Sequence, residues 1–314
     1  MLAYPYIGSG PYCYANSLAM ALGPAAPSPS TIEVLTGSPF GFHLYAGVLP
    51  LFDPYGWDDR GIDDAIALLG WVCRRQSADD DVQALAMLRD AVKEASPVLA
   101  GPLEMGLLRH LPGMTGPIEA DHFVAVLEVD DTRIRFHDPH GCPYATLPTR
   151  EFLTAWRADT IAYAATRYTM RSDFRRVRDV TTEAALHAAL PGAVAWLRGR
   201  DDLAMPPGTI GGAAAVDRLA GMVAGGLDSR TRDHLAHFAI RVGARRLTDA
   251  ATALAGLGHG RAAAVATRQA RLVGSLQYDV VSGRTSAAAE TLRRLAPTYE
   301  ELATALSSQR RASR

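Results

Sequence analysis

The chain has 314 residues, which is enough for one large domain or for two of ordinary size with separate cores. Hydrophobic residues make up 48% of the chain and charged residues 21%, a balance that is typical of globular proteins and excludes disordered or fibrous ones. The formal net charge of −1 provides no general attraction for nucleic acid or for an anionic membrane.

Cysteine usage and the N-terminus indicate a compartment. Cys13, Cys73 and Cys142 are widely spaced and form no C-x-x-C pair, so they predict neither a disulfide framework nor a zinc site. The segment MLAYPYIGSG has neither the charged nor the apolar region of an export signal. No run approaches the roughly 18 apolar residues that cross a bilayer. We therefore expect a cytoplasmic protein in a reducing environment, with no membrane partner.

The first half of the chain, to about residue 171, mixes two kinds of pattern. Apolar residues at helical spacing predict four helices: CYANSLAMAL, STIEVLTG, RGIDDAIALLG and DVQALAMLRDAVKEA. Short apolar or alternating runs predict five strands: WVCRRQ, PVLAGPL, HFVAVLEV, TRIRFHD and TIAYAATRYTM. The expected fold class of this half is α+β, with helices early and strands late.

The second half, from about residue 179, has no strand pattern. Its segments are rich in alanine, carry leucine, valine and phenylalanine at helical period, and are separated by glycine or serine-glycine breaks. Their lengths differ and no fixed period recurs, so a helical bundle is expected rather than a solenoid. The stretch RSDFRRVRD is the predicted linker, which sets the domains at 1–171 and 179–314.

Cys13 lies at the predicted start of the first helix. A thiol at a helix N-terminus faces backbone N–H groups and the positive end of the helix dipole, which stabilise a thiolate and lower the pKa of the thiol. The same N–H groups can bind an oxyanion. The alternative is a small buried hydrophobe, an interpretation that suits Cys73 and that we keep for Cys142.

A thiolate nucleophile also needs a base and a group that orients the base. His122 begins the strand HFVAVLEV, and Asp138 ends the strand TRIRFHD, with only Asp130 and Asp131 as the turn between the strands. An antiparallel hairpin therefore brings His122 beside Asp138. A solvent-facing strand-edge histidine and an Asp-Pro turn remain the alternatives for these two residues. Together with Cys13 they predict a thiol site with the order and layout of papain-like enzymes.

The chain resembles a known family at several of these segments: PYCYANSLAMAL, STIEVLTGSPFGFHLY, SPVLAGPLEMGLL, DHFVAVLEVDDTRIRFHDPHG and LPTREFLTAWRAD. They are similar to the N-terminal domain of the butirosin-biosynthesis acyltransferase and its relatives, a branch of papain-like cysteine folds. The helical half resembles the α-helical domain that commonly follows. The resemblance implies a papain-like catalytic domain of cysteine-protease type followed by an all-α domain.

The resemblance also implies a reaction. A cysteine accepts an acyl group from a carrier-protein thioester and passes it to a small-molecule amine, in antibiotic and other natural-product pathways. Cys13 would be the nucleophile, His122 the base and then the acid, and Asp138 the group that fixes the imidazole tautomer. Relatives often have histidine where this chain has Tyr12, and YIGSG lacks the glutamine of the papain oxyanion site. The backbone N–H of Cys13 would supply one oxyanion donor, and the second is unknown.

Tyr12 and Phe42 are the candidate substrate contacts. Phe42 lies in FGFHLYAGVLPLF, which either lines an acyl channel or forms plain core. Arg175–Arg178 either meet an acidic carrier protein or form a solvated linker. HDPHG is not expected to bind metal, and GTIGGAAAVDRLAG lacks the residues of a P-loop. No cofactor is expected, and the oligomeric state stays open.

Two other functions remain. A cysteine peptidase or amidase would use the same triad with water as the acceptor. A binding or scaffold protein would keep the fold without catalysis.

Overall fold

The structure, a computed structural model, describes residues 11–164, 166–200 and 202–312. The segment MLAYPYIGSG, on which the expectations about an export signal and a missing glutamine rest, lies outside the described residues. The fold is mixed α/β, and the strand pairs are antiparallel. In the described part of the chain, no helix has the length and apolar character to cross a membrane.

Twelve α-helices and nine strands are assigned within the described residues. The helices are α1 (Cys13–Leu22), α2 (Pro29–Leu35), α3 (Trp57–Leu68), α4 (Asp81–Glu94), α5 (Thr149–Trp156), α6 (Thr182–Arg198), α7 (Gly212–Gly225), α8 (Ser229–His234), α9 (Ile240–Gly256), α10 (Gly260–Val281), α11 (Thr285–Leu295) and α12 (Pro297–Ala312). The strands are β1 (His43–Tyr45), β2 (Leu49–Leu51), β3 (Trp71–Gln76), β4 (Val98–Glu104), β5 (Asp121–Val129), β6 (Arg133–Asp138), β7 (Cys142–Pro148), β8 (Met170–Arg176) and β9 (Ile210–Gly211).

The chain divides into two compact units that do not follow the predicted domains. The sheet unit consists of residues 12–29 and 69–179. Among the described residues, the helical unit contains Pro11, Ser30–Leu68 and 180–312. Residues 30–68 therefore group with the second half of the chain, because β1 pairs with β9 and the side chains of this segment join the core of the helices.

The sheet unit is built on a six-stranded sheet in the order β3-β8-β4-β5-β6-β7. Its core is apolar and includes Val124, Phe136, Phe152, Trp156 and Met170. Helices α1 and α4 contact β5, and α5 contacts β4. The predicted hairpin is confirmed: β5 pairs with β6, with Ala125 opposite His137 and Val126 opposite Phe136.

Two predictions for the end of this unit are wrong. Residues 160–169 of the predicted strand TIAYAATRYTM form no strand among the described residues, and the predicted linker RSDFRRVRD contributes to β8, which lies between β3 and β4. Met170, Arg171 and Ser172 are buried there. The polar composition of β8 gave no strand pattern in the sequence. Its backbone is nevertheless paired with β3 and β4, because sheet hydrogen bonds depend on the backbone and not on the side chains. Arg175 pairs with Asp173 at 3.3 Å. The pattern also did not predict β7 and α5.

The helical unit combines its helices with a small sheet in the order β2-β1-β9. Phe42, next to β1, has its ring centroid 5.0 Å from that of Phe52 and 6.4 Å from that of Tyr299 on α12. All three rings are buried in one core cluster with α7 and α11 residues such as Leu219 and Leu292. The short strands are thus held by the same apolar surface that joins the helices.

The segment 33–42, part of the family resemblance, is a buried packing element of the helical unit. Gly37 has φ +85°, and a Cβ there would lie 2.3 Å from Nε1 of Trp196 on α6, so the close approach of the indole requires glycine. Glu33, Phe40 and Phe42 are at most 2% exposed.

A buried ionic cluster joins this segment to α9. The guanidinium of Arg246 donates from Nε to Oε1 of Glu33 and from Nη1 to Oδ2 of Asp53, both at 2.6 Å. Its Cζ lies 4.8 Å from the ring centroid of Trp57. Nδ1 of His43 donates to the backbone carbonyl of Asp53 at 2.8 Å. The same Nδ1 lies 3.3 Å from Oδ1 of the Asp53 carboxylate. Burial raises the pKa of Asp53, but this side-chain contact with His43 and the charge of Arg246 outweigh burial and lower it.

This cluster predicts loss of stability in acid. A carboxyl whose pKa is lower in the folded than in the unfolded state stabilises the fold above its unfolded pKa of about 3.9, and that contribution disappears as the pH falls toward the folded pKa. We expect the urea midpoint, followed by far-UV circular dichroism, to fall for the wild type between about pH 6 and pH 3. Asp53→Asn should have a lower midpoint at pH 6 and a weaker dependence on pH.

Asp217 on α7 is exposed and provides the matched control. Asp217→Asn should keep the wild-type dependence. An Asp53→Asn curve parallel to that of the wild type would contradict the assignment.

Candidate active site

The candidate site lies in the sheet unit, at the end of the β5–β6 hairpin away from its turn. Nε2 of His122 donates to Oδ1 of Asp138 at 2.7 Å, and the two side chains are 3% and 0% exposed. Extending the register places Asp138 opposite Val124, so His122 lies diagonally across on the same face. The predicted proximity of these two residues agrees with this contact, and their catalytic roles stay predictions.

The carboxylate of Asp138 accepts three hydrogen bonds from protein groups. Oδ1 accepts from His122 Nε2 and from the backbone N–H of His140, and Oδ2 accepts from Nε2 of His110, each at 2.7 Å. Burial raises the pKa of Asp138, but the hydrogen bonds from His110 and His122, the charge interaction with His122 and the N–H of His140 together hold it well below its usual range. Asp138 is therefore an anion at neutral pH.

Two roles considered for Asp138 are present at once. The bond from the His140 N–H closes an Asx-type turn over Asp138-Pro139-His140, which is the turn role that the Asp-Pro sequence suggested. The same oxygen orients His122. The turn therefore restrains Oδ1, the oxygen that meets the imidazole of His122.

Cys13 is the first residue of α1, as the sequence predicted, and its thiol is not part of a disulfide. Helix α1 packs against β5, the strand that carries His122. Oγ of Ser17 donates to the carbonyl of Phe123 at 3.0 Å, and the rings of Tyr14 and Phe123 meet edge-on with centroids 6.2 Å apart. Cys13 and Ser17 are four residues apart, so they share the face of α1 that is turned to β5.

His110 is a residue of the site that the sequence analysis did not select. It lies in the segment between β4 and β5, with its ring centroid 5.0 Å from that of Phe136. No local motif distinguishes it from the other histidines of the chain. One signal could have indicated it: His110 lies in the connection between two predicted strands, and the second of these strands begins at His122.

The two predicted substrate contacts have different surroundings. Tyr12 is the N-cap residue of α1, is 0% exposed, and accepts at its backbone carbonyl a 2.7 Å hydrogen bond from Nδ2 of Asn16. Phe42 is buried in the core of the helical unit. This placement gives Phe42 a packing role, and its substrate contact stays a prediction without structural support.

Other groups near the hairpin end are also placed. Cys142 is half-buried and lies opposite Asp138 in the β6–β7 ladder. The ring centroids of His140 and His122 are 6.2 Å apart. Across the residues that the structure describes, no group of three or more His, Cys, Asp or Glu side chains is arranged to hold a metal ion.

Comparison with known proteins gives two matches. The model of the YobF C-terminal domain family matches residues 206–307, a range that runs from β9 to α12 in the helical unit. A Bacillus subtilis (strain 168) protein described as uncharacterized protein YobF is 35% identical over 161 residues, which is 50% of this chain and 52% of that protein. The chain therefore spans about half the length of the curated relative that it matches.

Proposed function

We propose that the protein is a cysteine-dependent acyltransferase with a papain-like sheet unit and Cys13 as its nucleophile. It would move an acyl group from a carrier-protein thioester to a small-molecule amine and form an amide. The observation that carries the proposal is the buried 2.7 Å hydrogen bond between His122 and the anionic Asp138. His122 lies on β5, the strand to which α1 is hydrogen-bonded. The resemblance to butirosin-type acyltransferases favours transfer as the reaction.

The contacts of α1 support a position for the Cys13 thiol near His122. Ser17 and Tyr14 both contact Phe123, the residue after His122. Four residues from Ser17 toward the N-terminus, a rise of about 6 Å, lead to Cys13 on the same face. As the first residue of a helix, Cys13 also lies at the positive end of the helix dipole, which favours an anion.

The proton balance follows from the hydrogen bond to Asp138. Because Nε2 of His122 donates to the carboxylate, Nδ1 is the nitrogen that accepts the thiol proton. The Cys13 thiolate attacks the thioester carbonyl, and the carrier thiolate leaves with the proton from His122. The amine then attacks the acyl-cysteine. His122 takes a proton from the amine and returns it to the Cys13 sulfur as the amide is released.

The test looks for the acyl-enzyme by intact mass spectrometry. Wild-type protein is incubated with acetyl, octanoyl and aminoacyl thioesters of pantetheine and with the same groups on an acyl carrier protein. We expect an adduct with the mass of one acyl group that maps to Cys13 and disappears when a primary amine is added, with formation of the amide. Cys13→Ala should show no adduct, whereas Cys73→Ala, which removes a thiol outside the proposed triad, should react like the wild type.

The possible results separate the candidate functions. Release of free acid at the same rate with and without amine would identify a hydrolase instead. Absence of any adduct with all of these donors, or an adduct that persists in Cys13→Ala, would contradict the proposal.

A further inference from the structure

His110 is the second imidazole bound to Asp138. Its Nε2 donates to Oδ2 at 2.7 Å, its side chain is 10% exposed, and its ring packs edge-on against Phe136. A carboxylate held through one oxygen can rotate about its Cβ–Cγ bond, whereas a carboxylate held through both oxygens keeps one plane. His110 is the histidine that occupies the oxygen not used by His122.

We infer that His110 is a positioning residue of the proposed thiol site: it locks Oδ2 of Asp138 so that Oδ1 stays aimed at Nε2 of His122. The inference rests on the proposed function, because the orientation of His122 matters only if His122 exchanges a proton with Cys13. In the absence of His110, the Asx turn would still hold Oδ1 from the His140 side, and the second oxygen would lose the hydrogen bond from His110.

The segment that carries His110 is held firmly at its base. The N–H of Met105 donates to the carbonyl of Ala120 at 2.8 Å, which closes the segment between β4 and β5. At the end of β4, the buried carboxylate of Glu104 accepts from the N–H groups of Gly106 at 3.1 Å, Ile118 at 2.9 Å and Glu119 at 3.1 Å. The Thr160 hydroxyl also donates to this carboxylate.

Close backbone packing adds to this support. A Cβ on Gly106 would lie 2.1 Å from the carbonyl oxygen of Gly116, so the two arms of the segment approach as closely as glycine allows. A buried, hydrogen-bonded anchor of this kind fixes the path of the segment. These contacts support the segment that presents His110 to Asp138.

The surroundings of the His110 ring favour positioning over proton transfer. Its Nδ1 is buried and has no hydrogen-bond partner among the described residues, so the ring has no second group there with which to exchange a proton. Its contact with Asp138 is made through the N–H at Nε2. Another side chain with an N–H donor can replace this contact, which makes the inference testable by substitution.

The experiment measures iodoacetamide alkylation of Cys13, quantified peptide by peptide at about pH 6 and about pH 9.5. At the lower pH the thiolate depends on its pairing with an oriented His122, whereas at the higher pH the thiol ionises without help. We expect His110→Leu, which fills space but donates no hydrogen bond, to be about tenfold slower than the wild type at pH 6 and equal to it at pH 9.5. His110→Gln keeps an N–H donor and should stay within about threefold of the wild type.

Cys73 and Cys142 lie in the same unit and report on its integrity, since general opening would raise their labelling too. If His110→Leu does not fold by circular dichroism, His110→Ala is used with the same expectation. A His110→Leu rate equal to that of the wild type at pH 6, or His110→Gln as slow as His110→Leu, would overturn the positioning role. The proposed function fails by a different result. If Cys13 of the wild type is alkylated no faster than Cys73 and Cys142 at pH 6, and His122→Ala does not change its rate, both the proposed function and the role of His110 are contradicted.

Discussion

Asp138→Asn is expected to lower the rate of Cys13 acylation on the order of 100-fold, the largest loss predicted for a substitution outside the nucleophile and the base. The carboxylate accepts from His110, His122 and the His140 N–H. An amide has a single acceptor oxygen, and its NH₂ group would oppose one of the two imidazole N–H donors. The substitution also removes the negative charge that stabilises the imidazolium of His122.

The measurement is the single-turnover rate of adduct formation at Cys13 with a pantetheine thioester. Asp131→Asn is the matched control, because Asp131 lies in the turn of the same hairpin with its side chain 93% exposed and paired with Arg89. It should react like the wild type. If Asp138→Asn is as active as Asp131→Asn while both proteins stay folded, Asp138 does not support the chemistry.

Arg246→Met is expected to produce the largest loss of stability. It would lower the free energy of unfolding by about 3–5 kcal/mol, because Glu33 and Asp53 would remain buried without the cation that compensates them. The Arg246 guanidinium bonds to both carboxylates at 2.6 Å, and its side chain is 3% exposed. Methionine retains most of the apolar volume of the arginine stem, so the loss is one of charge compensation and not mainly of packing.

Urea unfolding followed by far-UV circular dichroism measures this loss. Arg241→Met on the same helix is the control, since Arg241 is exposed, and it should change the free energy of unfolding by no more than about 0.5 kcal/mol. Adding Glu33→Gln and Asp53→Asn to Arg246→Met should recover part of the loss, because no unpaired charge is then buried. A triple variant less stable than Arg246→Met alone would contradict the charge explanation.

The two clusters differ in what each does for the protein. Glu33, Asp53 and Arg246 lie in the helical unit and join segments that are far apart along the chain. His110, His122 and Asp138 lie in the sheet unit and orient an imidazole. Variants of the first cluster should alter unfolding, and variants of the second should alter reactivity at Cys13. This separation makes it possible to distinguish a folding defect from a chemical one.

Most helices and the β5–β6 hairpin followed from the residue pattern because their causes are local. Helical spacing of apolar residues and a two-residue acidic turn act over a few positions along the chain. The start of α1 at Cys13 and the hydrogen bond between His122 and Asp138 agree with that reasoning. β8 was missed because its burial comes from its neighbours β3 and β4 and not from its own composition.

The remaining features required the folded chain. His110 meets Asp138 across 28 positions, and Arg246 meets Glu33 across 213. Such contacts depend on where whole segments are packed, and a single histidine or arginine carries no local mark of its distant partner. The residue pattern alone was sufficient to predict the hairpin and to select Cys13, His122 and Asp138 as candidate site residues. Tertiary contacts alone decided that residues 30–68 join the helices and that Asp138 serves two imidazoles, because burial brings together charges and donors that sequence spacing does not relate.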